Sequence, residues 1–174
     1  MRTIFTVLFM LFTLSALAQD LPENPEAYFD FWLGRWEATW DEGEGKKGRG
    51  SNHIHKVLDG KVIQEDFQIL EGKNKGFKGM SISTYQTQLK TWKQSWADNQ
   101  SSFFYFKGKF EGAKRIFQTD VFDGKEGVRF TQRMIFYAIE EDSFTWDWES
   151  SQDGGNTWKL NWRIFYTRAK EKNP

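Results

Sequence analysis

Residues 31–41, which read FWLGRWEATWD, decide the fold. The apolar run that precedes Gly34 ends there, because glycine commonly terminates a helix. From Arg35 onward the side chains alternate, so that Trp36, Ala38 and Trp40 share one face and the residues between them are polar. Strict alternation is typical of a half-buried strand. The stretch therefore predicts a short helix that leads directly into the first strand of a sheet.

Upstream of this stretch, the sequence carries the signals of a helix start. Asn24 can cap, Pro25 suits the first helical position, and Glu26 favours the positive end of the helix dipole. We expect about two helical turns over residues 26–33.

The first eighteen residues have the pattern of a secretory signal peptide. Arg2 is followed by an apolar run over residues 4–17, and the run ends in Ala16-Leu17-Ala18 before Gln19. One basic residue, an apolar core and a small-residue cleavage site are typical of such peptides. A membrane anchor is the alternative, but a span needs about 20 apolar residues and this run is shorter. We expect residues 1–18 to be removed, residues 19–174 to form one domain, and the protein to be periplasmic or secreted.

Downstream of Gly34 the chain is a series of short strands separated by turn signals. An Asp-Gly pair at residues 59–60 is a strong hairpin signal. A Gly/Lys-rich segment over residues 43–50 is predicted to be a loop. The predicted strands cover residues 35–41, 51–58, 61–70, 76–87, 91–97, 102–110, 113–122, 128–138, 143–150 and 157–168.

These strands predict a closed barrel. No crossover helix separates them, so neighbours should pair antiparallel. Most have one apolar, aromatic face and one polar face, which is the inside–outside pattern of a barrel, and closure removes the exposed edges. The sequence therefore predicts an all-β fold, a roughly ten-stranded antiparallel up-and-down β-barrel with a short N-terminal helix.

Composition narrows the function classes. The chain has 174 residues, 24 Lys and Arg against 24 Asp and Glu, and no Cys. A zero net charge disfavours nucleic-acid binding, and the lack of Cys excludes disulfides and thiolate catalysis. The unusual quantity is the aromatic content of 18%, with nine Trp, all after residue 19.

The order of several short motifs resembles a known superfamily. Leu33-Gly34-Arg35-Trp36 after a short helix is similar to the Gly-x-Trp signature of the lipocalins and fatty-acid-binding proteins, the calycins. Together with residues 58–60, 92–98, 151–158 and 166–168, it resembles exported bacterial lipocalin-like domains of unknown function. Nitrobindin and fatty-acid-binding barrels are more distantly similar.

This resemblance implies how the barrel closes. In calycins the signature Trp plugs one barrel end and a basic residue of the last strand packs across it, which assigns these roles to Trp36, after Gly34, and to Arg168. The chain departs from two binding types in the superfamily. Residues 163–165 read Arg-Ile-Phe where fatty-acid-binding proteins have Arg-x-Tyr, and no His follows His55 to bind haem as in nitrobindins. We expect no cofactor.

The aromatic residues of the apolar faces form the candidate ligand site. A small barrel has a lumen that large rings can fill or line, with a few polar groups as anchors. A packed aromatic core without a ligand is the alternative. The predicted ligand-binding residues are Trp40, Trp92, Gln94, Trp96, Phe104, Phe130, Gln132, Trp146, Trp148 and Trp162.

Two further clusters invite a structural and a functional interpretation. If Asp59-Gly60 is a two-residue turn, His53 faces Asp66 and His55 faces Gln64 across the hairpin. His53, His55 and Asp66 could then bind a metal, although a polar outer face explains these residues more simply.

The motif Ser151-x-Asp153-x-Gly155-x-Thr157-Trp158 fits an Asp-box, a turn motif in which the Asp and Ser side chains form hydrogen bonds with backbone amides.

These observations favour an exported protein that binds a small apolar or aromatic ligand in its lumen. The alternatives are a small-molecule enzyme in the same lumen, either an isomerase or metal-assisted through His53 and His55, and a sugar- or surface-binding module that uses exposed Trp. We expect no nucleic-acid partner and no membrane span after signal cleavage; the oligomeric state is left open.

Export is testable from the N-terminus alone. We expect the mature protein to begin at Gln19, since Ala18 ends the small-residue cleavage site. Mass analysis of periplasmic or secreted material would check this, and a mature protein that retains Met1 would contradict it.

Overall fold

The structure, a computed structural model, describes residues 23–170, so the predicted signal peptide, with Ala18 and Gln19 at its expected cleavage site, lies outside the described residues. The expected N-terminal helix is present as two successive 3-10 turns, Pro25–Ala27 and Asp30–Trp32, and the side chain of Asn24 caps the first by accepting from the backbone N–H of Glu26 at 3.0 Å. Within the described part of the chain, no helix has the length and hydropathy needed to cross a membrane.

Eleven strands follow these turns. They are β1 (Gly34–Gly43), β2 (Lys46–Val57), β3 (Val62–Glu71), β4 (Lys78–Gln86), β5 (Thr91–Asp98), β6 (Phe103–Glu111), β7 (Lys114–Gln118), β8 (Phe122–Asp123), β9 (Arg129–Tyr137), β10 (Ser143–Ser151) and β11 (Lys159–Arg168). Two further 3-10 turns, Thr87–Leu89 and Lys125–Gly127, lie in connections.

Ten of these strands close into the predicted antiparallel barrel. Strands β1 to β7 pair in sequence order, β7 pairs with β9, and β9, β10 and β11 continue the meander. The last strand returns to the first, with Trp36 opposite Arg168. The two-residue β8 only extends one end of β9. The antiparallel up-and-down β-barrel expected from the alternation is therefore confirmed.

The connection between β2 and β3 is longer than the predicted two-residue turn. β2 ends at Val57 and β3 begins at Val62, and Leu58, Asp59 and Gly60 all have positive φ, of 49°, 58° and 79°. The backbone N–H of Lys61 still donates to the carbonyl of Leu58 at 3.1 Å, so the longer turn keeps the expected register. The resulting register places His53 opposite Asp66 and His55 opposite Gln64, as predicted.

The loop predicted over residues 43–50 was wrong, because β2 already begins at Lys46 and only Glu44 and Gly45 form the turn. The glycines that suggested a loop serve packing instead. A Cβ on Gly48 would lie 2.1 Å from the Trp40 indole on the neighbouring strand, so the ring occupies the space that a side chain would fill. The other boundary error is the strand predicted over residues 113–122, since β7 ends at Gln118.

One end of the barrel is closed by aromatic packing and by the guanidinium of Arg168. The Trp36 side chain is 1% exposed, and its indole N–H donates to the carbonyl of Trp32 at 2.8 Å. The guanidinium of Arg168 lies over the Trp36 ring at 4.2 Å and donates to the carbonyls of Leu33 and Glu141. Phe29, from the N-terminal turns, is fully buried and stacks on Phe117 with ring centroids 4.5 Å apart. The closure that the calycin resemblance implied is present.

This closure should dominate the stability of the barrel. We expect Trp36→Ala to lower the free energy of unfolding by about 3–5 kcal/mol through the cavity it leaves. Arg168→Ala should cost about 1–3 kcal/mol, because it leaves carbonyl groups without donors. Urea unfolding measures both.

The matched control is Arg35→Ala, which removes an exposed Arg next to Trp36 and should change stability by less than about 0.5 kcal/mol. A Trp36→Ala variant as stable as the wild type would contradict the role of this end.

Candidate functional site

An aromatic cavity of about 170 Å³ lies inside the barrel. Trp146 stacks parallel to Trp148 with ring centroids 6.3 Å apart, and Trp162 meets Trp146 edge-on at 5.9 Å. The rings that line the cavity are Phe67, Phe77, Trp96, Phe104, Phe106, Trp146, Trp148, Trp162 and Tyr166. They come from strands all around the barrel, because alternation turns one residue in two toward the lumen.

Half of the predicted ligand-binding residues line this cavity, namely Trp96, Phe104, Trp146, Trp148 and Trp162. Three others are buried elsewhere in the interior. Trp40 packs edge-on against Trp162 from outside the cavity at 5.1 Å, Trp92 donates to the Pro25 carbonyl at the closed end, and Gln94 donates to Ser83.

Phe130 and Gln132 do not line the cavity, and their assignment to the ligand site is corrected. Both lie on β9 beyond Arg133, where its pairing with β7 ends. Phe130 instead pairs with Phe122 of the short β8. These residues therefore belong to the rim at the open end.

A carboxyl group stands among the rings. Glu65 lines the cavity although it is only 7% exposed. Its two oxygens accept hydrogen bonds from the Asn52 amide and the Ser81 hydroxyl, both at 2.7 Å. Burial raises the pKa of Glu65 to about 7. The two hydrogen bonds favour the ionised form and lower the pKa, but the effect of burial is larger. The interior of the barrel therefore holds an acid that titrates near neutral pH.

Two other polar groups face the same space. Asp98, the last residue of β5, accepts from the Trp96 indole at 3.1 Å and from the backbone N–H groups of Gln100 and Ser102. Although burial opposes ionisation, these hydrogen bonds lower the pKa of Asp98. At Tyr166, burial and the nearby Glu65 raise the pKa well above its ordinary value, so the phenol stays protonated.

Glu65 is absent from the ligand site predicted from the sequence. The position of Glu65 in the sequence nevertheless predicts its direction. Glu65 lies on the same face of β3 as Ile63 and Phe67, because residues two apart in a strand point the same way, so its side chain points inward with theirs. An ionisable residue on an apolar strand face is the pattern that would have found it.

The Asp-box forms the local turn expected from its sequence. Oδ1 of Asp153 accepts from the backbone N–H groups of Asn156 and Thr157, both at 2.9 Å, and from the Ser151 hydroxyl. The Ser151 hydroxyl in turn accepts from the backbone N–H of Gly155 at 2.8 Å. Hydrogen bonds from Thr157, then Ser151 and Asn156, lower the pKa of Asp153 well below its usual range.

Strict alternation along residues 157–168 would place Trp158 on the inward face with Trp162 and Ile164, and the structure differs. A bulge shifts the register between β10 and β11, so that Trp148 pairs with Trp162 but Glu149 pairs with Leu160. One extra residue reverses the faces of the residues before it. Trp158 therefore lies on the outer side, where its indole donates to the Gly155 carbonyl and packs under the Arg133 guanidinium at 3.9 Å.

The two His residues form a cluster on the outer face of the barrel. Their rings stack 4.6 Å apart, and Nδ1 of His55 lies 3.9 Å from Asp66 Oδ2. Potential ligand atoms of His53, His55 and Asp66 all lie within 4.8 Å of one another. Burial and the charge of Arg35, opposite His53 on β1, lower the pKa of His53. The cluster lies across the barrel wall from Glu65, the residue next to Asp66.

A family model described as a protein of unknown function, DUF1579, matches residues 22–168, from the N-terminal turns to Arg168 of the closed end. The chain belongs to the DUF1579 family. No curated protein matches the sequence significantly.

The family match covers every part of the barrel. In this DUF1579 chain, a closed ten-stranded antiparallel barrel with a plugged end fits a calycin-like fold. The match itself carries no activity, so the function must be argued from the cavity.

The buried acid gives this DUF1579 chain a distinctive pH dependence of stability. Because the folded-state pKa of Glu65 is above the unfolded value of 4.5, the folded state holds the proton more tightly and loses stability as pH rises from the lower value through about 7. We expect the free energy of unfolding of the wild type to fall by about 2–3 kcal/mol between about pH 5 and 8 because of Glu65, and we expect Glu65→Gln not to show this decrease.

Urea unfolding at several pH values measures this loss as the difference between wild type and variant. Glu37→Gln removes an exposed carboxylate of β1 and should leave the wild-type profile unchanged. Parallel pH profiles for the wild type and Glu65→Gln would contradict a buried titrating acid.

Proposed function

We propose that this protein is exported and binds a small aromatic or apolar ligand inside its barrel. The observation that carries the proposal is the cavity itself. Its walls are mostly rings, and its few polar groups are the carboxyls of Glu65 and Asp98 and the phenol of Tyr166. Apolar walls with a small number of placed polar groups are typical of small-molecule sites.

The size of the cavity bounds the ligand. A cavity of about 150 Å³ in another protein holds a benzene molecule. The cavity here is of similar volume, about 170 Å³. The ligand should therefore present about one aromatic ring, or an aliphatic group of that volume, to the lumen.

Export rests on the sequence of residues 1–18, which has the signal-peptide pattern described above. A periplasmic or secreted location is therefore part of the proposal. A binding role away from the cytoplasm is compatible with a chain that has no Cys to be oxidised.

The other hypotheses receive less support from the geometry. The three candidate metal ligands lie outside the barrel wall, so they cannot assist a reaction inside the lumen. Stacking of sugars on surface Trp needs exposed indoles, and none of the nine Trp, all within the described residues, is exposed. The large exposed apolar residues are Leu, Met, Ile, Phe and Tyr.

Three compounds with one aromatic ring and a short arm test the proposal: 2-phenylethanol, 2-phenylethylamine and phenylacetate. We expect at least one to quench Trp fluorescence saturably and to appear as bound mass in native mass spectrometry. Trp148→Leu should weaken its binding about tenfold, since an aromatic contact contributes about 0.5–1.5 kcal/mol beyond the area it buries.

Trp158→Leu is the matched control, because it removes an indole from the outer face and should leave the affinity unchanged. If none of the three compounds binds, or if both Trp variants lose binding equally, the lumen is not the site.

A further inference from the structure

The charged groups of the cavity all have one sign. Glu65 and Asp98 contribute carboxyls, and no Lys, Arg or His among residues 23–170 lines the space. Three Arg side chains of the barrel are engaged elsewhere: Arg168 lies over Trp36, Arg115 donates to the Tyr28 carbonyl, and Arg163 pairs with Asp147 on the outer face. The cavity is therefore acidic, in a chain whose net charge is zero.

The Glu65 carboxyl leaves acceptors for a ligand. Each of its oxygens receives one hydrogen bond, from Asn52 or from Ser81, and lone pairs remain on both. The carbonyl oxygen of the Asn52 side chain is buried without a partner. A ligand that brings N–H donors would match this arrangement.

The rings add to the same preference. The face of an aromatic ring carries negative charge density, and Trp gives the strongest attraction for a cation. Four Trp side chains, Trp96, Trp146, Trp148 and Trp162, line the cavity. Rings and carboxyls together attract a positive charge and repel a negative one.

We propose that the ligand is a small organic cation, an amine with an aromatic or apolar body, whose ammonium group pairs with Glu65 while its body lies among the Trp rings. This inference rests on the proposed lumen site and adds the chemical class of the ligand.

The acidity of Glu65 supplies an independent prediction. An ammonium ion pairs with the ionised carboxylate, so binding must displace the proton that burial retains up to a pKa of about 7. Between about pH 6 and 8, where the amine stays protonated, the affinity should rise about tenfold. Burial raises the pKa of Tyr166, which also lies close enough to Glu65 for the carboxylate charge to raise it further, and Tyr166 stays neutral over this range. Asp98 lines the same cavity and its lowered pKa keeps it ionised. Asp66 lies with His53 on the outer face, and its charge adds to the raised pKa of Glu65.

The ranking of the three phenyl compounds tests the class of ligand. We expect 2-phenylethylamine to bind at least tenfold more tightly than the neutral 2-phenylethanol at pH 8, and phenylacetate to bind least. Glu65→Gln should reduce the affinity for the amine at least tenfold, abolish its pH dependence and leave the affinity for the alcohol within about twofold. Glu37→Gln should behave as wild type in every measurement.

The outcomes separate this inference from the proposed function. If the alcohol or phenylacetate binds as tightly as the amine, or if Glu65→Gln leaves amine binding unchanged, the cationic class is overturned while the lumen remains a binding site. If no compound binds, both proposals fail. Because Gln is isosteric with the protonated acid, the variant should fold, and its urea unfolding curve verifies this.

Discussion

The contact between Arg168 and Trp36 joins the first and last strands at the closed end of the barrel. First and last strands pair only if the meander closes, and the guanidinium fixes that closure by stacking on the first strand's Trp while it hydrogen-bonds the carbonyls of Leu33 and Glu141. The segment before β1, the turn before β10 and the end of β11 are held together at one point. Because Trp36 and Phe29 fill this end, the lumen is closed there. Glu65 is therefore buried among apolar groups and not exposed to water in an open channel. The raised pKa of that acid is a consequence of the closure.

Much of the barrel could be predicted because alternation and turn chemistry are local. The faces of β1 follow from the residue spacing of two, and the register of the β2–β3 hairpin follows from the position of its Asp-Gly turn signal, although the turn is longer than two residues. The errors have non-local causes. Gly48 reads as a loop residue, yet it is in a strand because the Trp40 ring lies over it. The bulge before Trp162 arises from the pairing between β10 and β11. The sequence of β11 alone therefore does not indicate that Trp158 points to the outer face.

The same distinction explains how far the site could be predicted. Parity places aromatic residues inside, and five of the ten predicted ligand residues do line the cavity. The alternation does not predict how far along the barrel axis a side chain lies. Trp92 lies at the closed end and Phe130 at the rim, so neither lines the cavity. Glu65 was overlooked because its charge suggested solvent, although its strand position required the interior. When a charged residue lies at a position of a strand whose neighbours on the same face are apolar, the alternation decides which way its side chain points. Such a buried charged residue is a candidate functional residue.

The energetics of Glu65 favour a functional role over a structural one. Above neutral pH the ionised carboxylate destabilises the fold, and a Gln at the same position would accept and donate similar hydrogen bonds without that cost. Its neighbours compensate only partly, since the Asn52 amide and the Ser81 hydroxyl stabilise the charge but burial still prevails. A cation bound beside it would lower the pKa of Glu65 and stabilise the folded state through the same group. The acid therefore links occupancy of the lumen, the proton and the stability of the barrel, because each acts on a single carboxylate enclosed by rings.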